Sequence, residues 1–307
     1  MMQIGPAISF LAAYFILGAF AEGQTLRKIA SFDLPGPGGK RFDYLTIDTA
    51  DNYLISAHLA ANQTYVIDLT TNRVVATVTD TPGAEGVECV PELKKFYTSN
   101  AHDNTIGVVD LSQMKVIKKL KTEAKPDGST YATPFHKLYV SDERGKAEAV
   151  VDVSKDEIVK TLHFDSETGM PQYDPVARKV YVNLQDQNLF AVIDPATDEV
   201  VARHSVGRCK GNHGMALDPE HHRAFLSARK HPDASKFSLW LSLRFHTALL
   251  LFTQRQEGAV LLGWQQVLQH EGRTGNTHEQ KDHLYLDRCR RGNGVSLRRC
   301  VCSIERA

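Results

Sequence analysis

The chain has 307 residues, enough for one large or two ordinary domains, and its 42% hydrophobic content is that of an ordinary globular protein. Lys plus Arg and Asp plus Glu are equal at 36 each, so the net charge is zero and gives no electrostatic case for nucleic acid or an anionic membrane as partner. Five scattered cysteines, an odd number, exclude a fully paired disulfide framework, and Cys89 and Cys209 are expected to be structural.

Residues 7–21 form an uncharged apolar run that ends in Ala19-Phe20-Ala21, a small-x-small pattern before Glu22. This predicts a signal peptide over residues 1–21, a mature chain starting near Glu22 and a periplasmic or extracellular location, although no Lys or Arg precedes the run. A run of this length is short for crossing a bilayer core, so no transmembrane segment is expected in the mature chain. Thr25 to Leu34 then reads as one isolated strand before the Gly/Pro turn at residues 35–39.

From Tyr44 the chain becomes periodic. Tyr65-Val66-Ile67-Asp68 recurs as Gly107-Val108-Val109-Asp110, Ala149-Val150-Val151-Asp152 and Ala191-Val192-Ile193-Asp194, with 42 residues between successive aspartates. Each copy joins two β-branched runs through a short turn, in which the Asp carboxylate can accept a hydrogen bond from the N–H two residues on. Two further strand-like runs lie between copies, such as Lys95 to Asn100 and Lys137 to Asp142. Four strands per unit at this period predict an all-β fold, a β-propeller of four-stranded blades. The blades run from Tyr44 to Asp80, Gly86 to Thr122, Gly128 to Phe164 and Met170 to Val206, and a fifth begins at Gly214 and supplies two strands by Ala228. On this reading Thr25 to Leu34 completes a blade begun elsewhere and closes the ring.

Leu138-Tyr139-Val140-Ser141-Asp142 and Val180-Tyr181-Val182-Asn183 resemble the motif that names the YVTN-type β-propeller repeat proteins, and the resemblance covers residues 41–230. It implies seven blades and export from a bacterial cytoplasm. Relatives with similar blades include lactone-hydrolysing propellers and the haem-carrying propeller of periplasmic nitrite reductases. The motif is specific for fold and weak for function.

The repeat stops inside the fifth blade. A two-residue insertion precedes that blade, and the next repeat Asp should then stand at Ser238, within an apolar stretch from Phe237 to Phe245. Both tryptophans and three of the five cysteines lie beyond Lys230. Residues 231–307 read as an atypical tail translated out of frame, with a second domain as the alternative. A propeller cut after four and a half blades is expected to be poorly stable and irregular after about residue 235.

Candidate site residues follow from the repeat. The position just before each first strand carries Asp43, Glu85 and Asp127, then Gly169 and, after the insertion, His213. Three carboxylates at one equivalent position are expected to converge and could hold a hard cation or a polar ligand. His58 ends the second strand of the first blade, where later blades are expected to carry Ala101, Glu143 and Gln185. His213 could ligate a metal or a noncovalent haem. Covalent haem is excluded, since no Cys-x-x-Cys-His motif occurs. Cys300 and Cys302 with His278 or His283 lack the spacing of a zinc site. The expected function is an exported binding or scaffold propeller that presents loop faces to a protein partner or small ligand, with no catalytic residue and no cofactor assigned. The rivals are a metal-dependent lactonase-like hydrolase and a noncovalent haem-binding redox accessory.

Overall fold

Runs of Val, Ile, Tyr and Thr four to seven residues long, separated by Asp, Asn and Gly, favour strands joined by tight turns. The computed structural model describes residues 31, 34–35, 41–207, 210–230, 254–256, 259–261 and 300–305. The signal run, most of the strand expected at Thr25 to Leu34, Cys209, Cys289 and most of the tail lie outside the described residues. All elements below belong to the compact unit spanning residues 32–307.

Four consecutive sheets have four antiparallel strands each, hydrogen-bonded in sequence order. They are β1–β4 (Leu45–Asp48, Tyr53–His58, Gln63–Asp68, Arg73–Val78), β5–β8 (Ala84–Val90, Lys95–Asn100, Thr105–Asp110, Lys115–Lys121), β9–β12 (Pro126–Ala132, Lys137–Asp142, Ala147–Asp152, Glu157–His163) and β13–β16 (Thr168–Asp174, Lys179–Leu184, Leu189–Asp194, Glu199–Ser205). These are propeller blades. The fifth begins with β17 (Lys210–Asp218) and β18 (Arg223–Lys230). The sequence gives no repeat beyond this point, yet β21 (Cys300–Glu305) pairs antiparallel with β18 as a third strand. β19 (Gln254–Gln256) and β20 (Ala259–Leu261) form a separate pair. No helix among the described residues is long and apolar enough to cross a membrane.

The turns form as the sequence predicts. Asp68 Oδ1 accepts from Thr70 N at 2.6 Å, and Asp110 Oδ1 from Ser112 N at 2.7 Å. Asp152 and Asp194 repeat the bond at 3.0 Å each.

The core lies between consecutive sheets. Val90, Tyr97, Ile106 and Val108 of the second pack on Tyr131, Leu138, Val140 and Ala149 of the third, and equivalent layers join the other neighbours. Polar latches tie the same interfaces. Tyr97 Oη donates to Asp156 of the next sheet at 2.6 Å, and Lys95 reaches the same carboxylate at 2.5 Å. Tyr139, Lys137 and Asp198 repeat the arrangement one blade on.

Candidate functional site

The first strands of the second to fifth blades each carry a bulge, and the same pattern stands just before β1. In the second sheet Ala84 pairs with Asn100 and Val87 with Thr98, so Glu85 and Gly86 together face the single residue Ser99. Asp127 and Gly128 face Ser141 in the same way, Gly169 and Met170 face Asn183, and His213 and Gly214 face Ser227. In the first sheet Asp43 N and Tyr44 O both bond Ala57, at 3.1 and 3.0 Å. An extra residue on one strand bends it and re-aims its side chain, and here the re-aimed residues are the acids and His213.

This corrects one expectation. Glu85, Asp127 and His213 lie inside their first strands, not in the loops before them. The strands bulge and continue because a small residue follows each: a Cβ on Gly86 would stand 2.1 Å from the Asp127 carbonyl oxygen and 2.7 Å from Ser99 Oγ. Gly169 has its own reason, since a Cβ there would lie 2.8 Å from the His213 carbonyl oxygen and 3.1 Å from its Nδ1. The fourth blade gives up its acid so that the fifth can bring His213 close.

The structure places Asp43, Glu85, Asp127 and His213 in one cluster. Glu85 and Asp127 act on each other, and each interacts electrostatically with Asp43. His213 Nε2 is 3.5 Å from Asp127 Oδ2. Glu85 and Asp127 are each 3% exposed. Arg41 bonds Asp43 at 2.5 Å, while Lys125 bridges Glu143 and, at 3.5 Å, Glu85.

Crowded carboxylates hold their protons more tightly. Burial, then the charge of Asp127, lifts Glu85 to about 7. Burial also raises Asp127, with Asp43 adding to it, and raises Asp43 against the pull of Arg41. Glu143 goes the other way: burial opposes ionisation, but the hydrogen bond and charge of Lys125 outweigh it.

His58 is not in this cluster. Its ring stacks on Phe42 at 3.8 Å and its Nδ1 lies 3.1 Å from Tyr65 Oη. The expected equivalence of His58 with Ala101, Glu143 and Gln185 is one residue out of register, since the second strands end at His58, Asn100, Asp142 and Leu184. A one-residue shift changes the face to which a side chain points. Glu143 and Gln185, just past the strand ends, therefore belong to the site: Gln185 Nε2 donates to Glu143 Oε1 at 3.2 Å and to Thr168 O at 2.9 Å. The 42-residue count from Leu59, the residue after His58, gives Ala101, Glu143 and Gln185.

A cleft of about 410 Å³ opens over the cluster between the first three blades. Glu85 lines it, and so do Arg41, Lys125, Arg144, His102 and Asn104. Arg144 is exposed and has no ion pair among the described residues. Glu85 is thus the one acid in a lining that is otherwise basic or neutral.

A scan against family models finds no match, and neither does a search of the curated proteins. Among solved structures, hydrazine synthase of Kuenenia stuttgartiensis superposes with a TM-score of 0.58 at 19% identity, over 72% of this chain and 62% of that one. The chain thus spans less than two thirds of that protein's length. Dihydro-heme d1 dehydrogenase NirN in complex with DHE aligns with a TM-score of 0.46 at 18% identity, over 54% of this chain and 38% of that one. At 19% identity the likeness to hydrazine synthase is one of fold, the β-propeller.

Proposed function

We propose that the protein is an exported binding propeller whose ligand is a small polar molecule with both charges, of the amino-acid class, held in the cleft over Glu85. One observation carries the reading: Glu85, which interacts with Asp43 and Asp127 of the blades on either side, lines a cleft together with Arg41, Lys125 and Arg144. A ligand ammonium facing Glu85, with Asp43 and Asp127 behind it, would offset the like-charge crowding of those acids. Its carboxylate would face Arg144, whose planar guanidinium suits bidentate contact with that group. The apolar run ending at Ala21 and the YVTN-like motif support export.

The test is thermal melting and calorimetry of the full chain with lysine, glutamate, glycine, putrescine and acetate. The amino acids are expected to raise the melting temperature, and putrescine and acetate, which carry charge of one sign only, to do less. Arg144→Gln and the triple variant D43N/E85Q/D127N should each remove the effect. If no amino acid stabilises the protein, or if both variants bind as the parent does, the cleft is not the site.

A further inference from the structure

Behind the cleft, the third and fifth blades bring together three groups that the amino-acid reading does not use as a set. Asp127 of β9, Glu143 just past β10 and His213 of β17 each offer one ligand atom, and these atoms all lie within 4.8 Å of one another. Asp127 Oδ2 lies 3.5 Å from His213 Nε2. Ligand atoms bound to one metal at about 2.0–2.2 Å stand roughly 3 Å apart, so rotamer adjustments of about an ångström would close the set.

An acidic cluster alone would not single out a metal, but the surroundings add two observations. Gln185 is 3% exposed, its amide nitrogen bonds Glu143, and its Oε1 is buried without a hydrogen-bond partner. Glu85 Oε2 is likewise buried with no hydrogen bond, with Lys125 Nζ 3.5 Å away. Buried oxygens without partners are costly, and in a site of this composition they fit groups that orient or complete a coordination shell. The neighbouring side chains also fit. Gln185 fixes the Glu143 carboxylate through two hydrogen bonds of its own, to Glu143 and to Thr168 O.

We infer that Asp127, Glu143 and His213 form a binding site for a divalent transition-metal ion such as Zn²⁺ or Mn²⁺. Two carboxylates and an imidazole make a mixed oxygen and nitrogen donor set, which suits such ions better than the all-oxygen shells preferred by Ca²⁺ and Mg²⁺. Metal binding displaces Lys125 from Glu143, and its partly exposed side chain can turn to Glu85 or to water. The site shares Asp127 with the amino-acid reading but does not require that the cleft bind an amino acid.

The experiment is calorimetric titration of the metal-stripped full chain with Zn²⁺ and Mn²⁺, beside Asp127→Asn, His213→Ala and the surface control His163→Ala. One equivalent of Zn²⁺ per chain is expected, weakened roughly tenfold or more by either site variant and unchanged in the control. Added imidazole should restore binding to His213→Ala, an outcome that a merely misfolded variant would not give. No saturable binding, or binding indifferent to both site variants, overturns the inference. If metal binding fails while lysine still binds, this site falls and the cleft stands; the converse result removes the cleft alone.

Discussion

A hydroxyl has one proton to give, and Ser141 Oγ lies 2.9 Å from Glu148 Oε2 and 2.6 Å from the Gly169 carbonyl oxygen. Both contacts are satisfied if Glu148 is the protonated acid and donates to Ser141, which then donates to Gly169. Glu148 is fully buried, and that burial pushes its carboxyl well above the usual range. Burial acts the same way on Asp142, lifted to about 6, and on Glu88, lifted to about 8. A carboxyl whose pKa is higher folded than unfolded binds its proton more tightly in the fold. Its stabilisation is complete below the unfolded value, about 4.3 for Glu, and is lost as the pH rises through the folded one. The protein is therefore expected to resist urea better at pH 5 than at pH 8, and Glu148→Gln, which keeps a neutral partner for Ser141, should reduce that difference. A stability that rises from pH 5 to pH 8, or a Gln variant with the parent's pH profile, would contradict this assignment.

At the scale of the element, neighbouring blades are joined by more than apolar packing. The hydroxyl-bearing tyrosine of one second strand and the lysine two residues before it share a turn aspartate of the next blade, 59 residues beyond the tyrosine. Those aspartates, Asp156 and Asp198, have φ near +54° and +55°, left-handed values that Asp tolerates better than most residues. The first interface lacks the latch, because Ile55 and Met114 occupy the corresponding positions and pack in the apolar layer. Tyr139→Phe is expected to cost about 1.5 kcal/mol in chemical denaturation, the worth of a hydrogen bond to a charged group. The double variant with Asp198→Asn should cost less than the sum of the two single changes. Strict additivity would mean that the latch carries no coupling. The outer strands show a second repeated device: Val75, Ile117, Val159 and Val201 are all exposed, and each is the extra residue of a bulge on the fourth strand. A bulge there twists the free edge away from pairing with another chain.

For the whole molecule, stability is a sum over sheet-to-sheet interfaces, as in other repeat proteins. The second, third and fourth blades each have a packed neighbour on both sides, whereas the described contacts of the first and fifth lie mainly on one. Hydrogen exchange should therefore be slowest in β6, β10 and β14 and faster in β2 and β18. Equal protection in all five second strands would show that the blades open as one unit.

The sequence by itself determined the architecture, because one period of 42 residues sets strand, turn and neighbour at once, and a repeated local choice cannot easily fold into anything else. It also located Asp43, Glu85, Asp127 and His213 as equivalent positions, since equal steps along a repeat become equal places in successive blades. Only the tertiary structure decided what surrounds them. At Glu85 and Asp127 the bulge places a glycine against the neighbouring blade, Gly86 on Asp127 and Gly128 on Met170 and Pro171, and no local pattern records that approach. Glu143 and Gln185 stand one residue beyond the strand ends, and only the fold shows that they meet each other across neighbouring blades. The third strand of the fifth blade came from Cys300–Glu305, far along the chain and outside the repeat, because an open edge accepts backbone hydrogen bonds without asking for a sequence.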